Sequence, residues 1–250
     1  VVMIGSAAPA VGAVSVTTLP PATATPAPSA ALIKPATCVA SAANVTWSSA
    51  GNATAGGTGN WSGGSTWWDG SSAVTWTAGD NATFSAAGNT TVNSTITVGS
   101  LTFTSSTANS SILAGAGTFT LNGGITVTNT GNTTAITNTI TSNITLGANQ
   151  TWTVNNGGSI GTANLTVSGI ISGANRRLTK AGNGTLILSG LNTFSGGTTI
   201  DGGTLQLKAA ATNAFNTGNL TYNINNASTL LLSTGAASNP TAQGMVVNFD

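Results

Sequence analysis

Residues 171–208 read ISGANRRLTKAGNGTLILSGLNTFSGGTTIDGGTLQLK. Within this stretch Thr185-Leu186-Ile187-Leu188 and Thr204-Leu205-Gln206-Leu207 set an apolar residue at every second position. A period of two is the strand period. Each run is opened by a glycine, Gly184 and Gly203, followed by threonine and then apolar–x–apolar. The same phrase, led by Gly, Gln or Ser, starts at Gly117, Gln150 and Ser228, at gaps that are irregular but of one magnitude. Similar alternation runs through residues 44–47 (NVTW), 94–98 (STITV), 100–104 (SLTFT) and 164–168 (NLTVS). Turn pairs such as Asn122-Gly123, Asn156-Gly157 and Asp201-Gly202 punctuate the runs. Loose periods of about 20–30 residues predict an all-β β-solenoid, in which each coil stacks on the last. Outward Thr and Asn would then solubilise the wall, and could bond in ladders from coil to coil. The alternative is a β-sandwich, whose many short strands read alike.

The same stretch closely resembles the autotransporter-associated β-strand repeat, also called the passenger-associated transport repeat. The resemblance rests on Leu178-Thr179-Lys180, Gly182, Gly184-Thr185-Leu186 and Leu188-Ser189-Gly190. It continues through Asn192-Thr193-Phe194, Gly196-Gly197-Thr198-Thr199-Ile200 and Gly203-Thr204-Leu205. A looser likeness to the N-terminal portion of large bacterial surface proteins covers residues 47–76 and 83–103. The resemblance implies a right-handed parallel β-helix and an extracellular or cell-surface setting. It implies no catalytic residues. Autotransporters end in a membrane-embedded barrel, and no segment of this sequence reads as one.

Composition narrows function from the other side. Only 4 % of the 250 residues are charged, against about 25 % in an average globular protein. The bases are Lys34, Arg176, Arg177, Lys180 and Lys208, and the acids are Asp69, Asp80, Asp201 and Asp250. There is no glutamate or histidine, and serine with threonine makes up roughly 29 % of the chain. Four scattered aspartates do not supply acid–base catalysis, so no enzymatic activity is expected. One cysteine and no histidine leave no zinc set, so no metal or cofactor is expected. A net charge of +1 makes no basic stripe for nucleic acid. Little should titrate between about pH 5 and 9. With mean hydropathy of +0.23 and so little charge, the chain does not have the composition of a disordered one.

Residues 1–40 carry Pro9, Pro20, Pro21, Pro26, Pro28 and Pro35, six of the seven prolines. They are expected to form an extended Ala/Pro-rich arm near polyproline II. Residues 41–250 are expected to form the solenoid, with 41–80 as a Trp-rich N-terminal cap and 171–208 as the recognisable repeat. Residues 1–16 resemble the apolar part of a signal peptide but lack its basic region, and are read as part of the mature chain. No apolar run reaches the length of a transmembrane helix. Cys38 stands alone and reads as a buried thiol or an intermolecular bridge.

Trp47, Trp61, Trp67, Trp68 and Trp76 cluster near the start of the folded part. They read as a cap over the open first coil, or as a platform for stacking glycans. Lys180 and Asp201 lie one coil apart by the spacing of the phrase, and are expected on adjacent rungs where they could pair. Glycosylation sequons occur at Asn44, Asn52, Asn60, Asn81, Asn89, Asn93, Asn109, Asn132, Asn143, Asn149, Asn164, Asn183, Asn219 and Asn226. Strand alternation enriches the same pattern without any glycan.

Together these features point to a structural extracellular or cell-surface protein. The leading expectation is head-to-tail self-assembly into a filament, through the N-terminal arm and the solenoid ends. The alternative is an adhesin or passenger fragment acting as a surface spacer or glycan-binding stalk. A polysaccharide-degrading β-helix ranks behind both.

Overall fold

The computed structural model describes residues 42–48, 50–62, 64, 66–105, 111–130, 134–157, 161–209, 221–234 and 246–249. All of these lie in the second of the two units into which the chain divides, Val1–Val39 and Ala40–Asp250. The expected arm, Lys34, Cys38, Asn109, Asn132, Asn219 and Asp250 fall outside the described residues.

Every described element is a strand. The first turn comprises β1 (Asn44–Trp47), β2 (Gly59–Asn60), β3 (Trp67–Trp68) and β4 (Ala73–Val74). Four turns then cycle through three faces. They are β5 (Asn81–Phe84), β6 (Gly88–Thr91) and β7 (Ile96–Val98); then β8 (Leu101–Ser105), β9 (Ser111–Ala114) and β10 (Thr118–Leu121). Next come β11 (Ile125–Asn129), β12 (Ile136–Ile140) and β13 (Asn143–Leu146), followed by β14 (Gln150–Asn155), β15 (Ala163–Val167) and β16 (Ile171–Ser172). The later turns keep two strands each: β17 (Leu178–Ala181) with β18 (Thr185–Leu188), β19 (Thr198–Ile200) with β20 (Thr204–Ala209), and β21 (Thr221–Ile224) with β22 (Thr229–Thr234). β23 (Val246–Phe249) extends the first face once more.

The first face orders its strands β4-β3-β1-β5-β8-β11-β14-β17-β19-β21-β23. The second runs β2-β6-β9-β12-β15-β18-β20-β22, and the third β7-β10-β13-β16. Pairing is parallel throughout, except where β3 joins β1 and β4 joins β3. Each turn therefore stacks on its predecessor as a parallel β-solenoid, and the β-sandwich alternative is excluded.

Strands this short are stable only because alternate side chains share one core. On the first face Val45, Ala82, Leu101, Ile125, Trp152, Lys180, Ile200, Ile224 and Phe249 form one column of register partners. Apart from Phe249, all are buried. Complete burial of each valine, leucine or isoleucine member contributes about 1.5–3 kcal/mol. Outward neighbours form a second column, Thr46, Thr83, Thr102, Thr126 and Thr153. Threonine suits it, because the branched carbon fits the pleat while the hydroxyl faces solvent.

The repeated phrase falls on all three faces. Gly117 introduces β10 on the third face and Gln150 begins β14 on the first, whereas Gly184, Gly203 and Ser228 introduce β18, β20 and β22 on the second. The gaps from Gly117 to Gln150 and from Gln150 to Gly184 thus cross between faces and do not measure a turn. Those from Gly184 to Gly203 and from Gly203 to Ser228 do. From Ala82 to Phe249 the register partners place successive levels of the first face one full turn of chain apart. Each turn takes about 20–30 residues, as the sequence period predicts. Where the shorter turns begin, residues 189–197 replace the third-face strand. Phe194 is buried there, and the Asn192 side-chain oxygen accepts the Ile171 N–H at 2.9 Å.

Candidate functional site

The N-terminal end is closed by aromatic rings. The antiparallel pair β3–β4 lies over β1 and ends the parallel ladder on that side. Trp47, Trp61 and Trp67 are completely buried, while Trp68 and Trp76 keep part of their surface exposed. Trp61 packs at 4.8 Å from Trp67 and 4.9 Å from Trp76, and Trp47 meets Trp67 edge-on at 5.2 Å. Phe84 continues the cluster inward and stacks on Phe103 at 5.2 Å. The Trp67 indole N–H donates to the Trp61 carbonyl at 3.0 Å, and that of Trp47 to the Gly57 carbonyl at 3.1 Å. Three of the five rings therefore have no face open to solvent. Trp152, the sixth, lies far along the core and donates to the Gln150 side-chain oxygen at 2.8 Å.

Beside the cap is a cleft of about 340 Å³ lined by Ala42, Val45, Val74, Thr77 and both carboxylates of this end, Asp69 and Asp80. Each carboxylate already serves as a turn acceptor. Asp80 accepts the Ala43 and Thr77 N–H groups, both at 2.9 Å. Asp69 accepts the N–H groups of Ser72 and Ser71 at 2.7 Å and the Ser71 hydroxyl at 2.8 Å. These bonds, led by the Ser72 and Ser71 amides, lower its pKa to about 2. Among the described residues, no group of three or more His, Cys, Asp or Glu side chains could hold a metal ion.

The sequon asparagines are mostly exposed: Asn44, Asn52, Asn60, Asn89, Asn93, Asn143, Asn149, Asn183 and Asn226, with Asn81 and Asn164 half-buried. Many join one turn to the next. The Asn81 amide donates to the Asn44 oxygen at 2.9 Å, and that of Asn93 to Asn60 at 3.4 Å. Asn143 accepts the Ile170 N–H at 2.9 Å, Asn149 that of Arg177 at 2.9 Å, and Asn183 that of Asn156 at 2.7 Å. Asn248 and Asn223, outside any sequon, repeat the ladder at 2.9 Å. A side-chain amide does at each corner what the backbone ladder does on the faces.

The expected pairing of Lys180 with Asp201 is not formed. The two do lie on adjacent rungs, and the Asp201 N–H donates to the Lys180 carbonyl at 2.7 Å. The lysine side chain, however, points inward between Trp152 and Ile200 and is completely buried. Its ammonium donates to the carbonyls of Ala181 and Gly182 at 2.8 Å and of Gly202 at 3.0 Å. Asp201 instead accepts the Asn226 amide at 3.1 Å. Burial lowers the Lys180 pKa to about 8, so one group does titrate within the range expected to be silent. The signal was present in the sequence: Leu178 and Lys180 share a phase, and Leu178 is inward. Arg176, Arg177 and Lys208 are exposed.

Compared with known proteins, residues 178–207 match the family model described as passenger-associated-transport-repeat. No curated protein and no solved structure matches the chain. The repeat and the solenoid fold fit a surface, passenger-like protein, secreted or held at the cell exterior. No helix among the described residues is long and apolar enough to cross a membrane.

Proposed function

We propose that this chain is a non-catalytic structural solenoid of the cell exterior, serving as a stiff, nearly uncharged spacer in a passenger-like surface protein. The observation that carries this reading is the first face, a single sheet in which nine parallel levels run from β1 to β23. At about 4.8 Å per level it spans about 38 Å. From β1 to β14 its outward positions are threonine and asparagine, and none on the face is charged, so little electrostatic repulsion acts between such walls. Sedimentation of the purified chain is expected to give a monomer, and antibodies to it should bind intact source cells. Self-association in dilute solution, or labelling that requires permeabilised cells, overturns the proposal.

A head-to-tail filament is the second reading. Leu231, Leu232 and Phe249 are exposed on β22 and β23, and they are the apolar surface a second copy would cover. Against it stands the other end, where β3 and β4 would have to leave β1 before another edge could pair with it. Light scattering over a concentration series separates the readings, and Leu231→Lys should abolish any growth. Surface-glycan binding would fall to Trp68 and Trp76, and oligosaccharide titration followed by tryptophan fluorescence tests it.

A further inference from the structure

The alternation that builds this solenoid leaves its registers under-determined. A slip of one residue between stacked strands turns every inward side chain outward, whereas a slip of two restores the same faces. On the first face β14 presents Trp152 and Val154 inward, β17 Leu178 and Lys180, β19 Thr198 and Ile200, and β21 Tyr222 and Ile224. The corner glycines discriminate little. Gly203 approaches the carbonyls of Gly184 and Gly182 too closely for a side chain, and Gly202 lies in tight contact with the backbone of Gly182, yet glycine permits close approach without demanding it.

Lys180 does demand it. A buried ammonium carries three protons, and each needs an acceptor. In the observed register all three are met, two by its own turn and one by Gly202 of the next. Sliding β19 by two residues would carry the Gly202 carbonyl about 6.6 Å along the strand and leave the charge one acceptor short. Elsewhere in this column the buried members are apolar. We infer that Lys180 is the register-determining residue of the β17–β19 step, admitting only the stacking in which the 181–182 corner lies on Gly202. A buried charge can fix registry while contributing little net stability.

Disulfide trapping in the full chain carrying Cys38→Ser tests this. Thr179 and Thr199 are outward register partners, within disulfide reach at about 4.8 Å. Ala181 and Thr199 are offset by two residues, about 8 Å apart and beyond reach, but become neighbours after a slip. With Lys180 present, T179C/T199C should bridge and A181C/T199C should not. In Lys180→Met, or in Lys180→Ile, which copies the residue at the next level, the A181C/T199C bridge should appear as well. If the apolar variants form only the native bridge, the inference is overturned. It is equally overturned if neither variant folds, because the lysine would then supply stability rather than register.

Discussion

The ammonium of Lys180 and the carbonyl of Gly202, 22 residues apart, are joined by a 3.0 Å hydrogen bond between two stacked turns of the solenoid. Only 4 % of the residues are charged, so the fold's response to pH can be worked out from very few groups.

On the alkaline side two groups oppose each other. Burial lowers Lys180 from 10.5 to about 8. Between those values the unfolded chain binds the extra proton, so folding becomes more favourable as pH rises. Burial raises Tyr222 from 10.0 to about 12; there the folded chain holds the extra proton, and stability falls as pH rises. Urea midpoints at about pH 7, 10 and 12 should be highest at the middle value. Lys180→Met should remove the rise, and Tyr222→Phe the fall.

On the acid side Asp69 is lowered from 3.8 to about 2 by the Ser72 and Ser71 bonds. Its contribution is complete above the unfolded value and is lost as pH falls through the folded one. The β3–β4 turn should therefore loosen before the rest of the solenoid. Protection of the Ser71 and Ser72 amides, measured relative to their intrinsic exchange at each pH, should fall as pH approaches about 2, and Asp69→Ala, which removes the acceptor, should show the loss already at neutral pH.

Trp67 and Trp68 are chain neighbours with different surroundings, one completely buried and one partly exposed. Trp67→Ala should destabilise the protein by about 3–5 kcal/mol, because the ring and its bond to Trp61 are both lost. Trp68→Ala should cost clearly less. Denaturant melts of the two variants check the difference.

Gly203 has φ +62°, and a side chain there would meet the carbonyls of Gly184 and Gly182. Gly203→Ala should therefore cost more than the roughly 1–2 kcal/mol of a left-handed non-glycine residue alone. Gly70, with φ +102° but no neighbour within 4 Å of the added carbon, bears the conformational cost without the clash. Melting the two alanine variants side by side tests the contribution of close stacking.

Asn183→Ala should cost no more than about 1 kcal/mol, because water can replace the exposed bond to the Asn156 N–H. Asn183→Asp keeps an acceptor at the same place and should be nearly silent at neutral pH.

Much of this was readable from the chain alone. The period of two in NITL and TLIL marks β13 and β18, and the inward phase of Leu178 extends to Lys180. The asparagine corners were legible as turns, but not as links: Asn149 finds the Arg177 N–H a whole turn further along the chain, and nothing local marks that distance. The phrase at Gly117 and Gln150 misled for the same reason, since one local pattern serves any face of a solenoid.

By itself the sequence determined what each residue does locally: which side chains alternate inward, where glycine and asparagine break a strand, and how little charge the wall carries. Those properties depend on neighbours one or two positions away. Only the tertiary structure decided which turn rests on which, that the tryptophans close one end, and that Lys180 spends its charge on Gly202 rather than on Asp201. The turns of the first face differ in length from Ala82 onward, so a fixed spacing along the chain does not locate the partner in the next turn. A contact between turns is therefore fixed by stacking in space, where a lysine follows the phase of its strand and its buried protons bond to the carbonyls within reach.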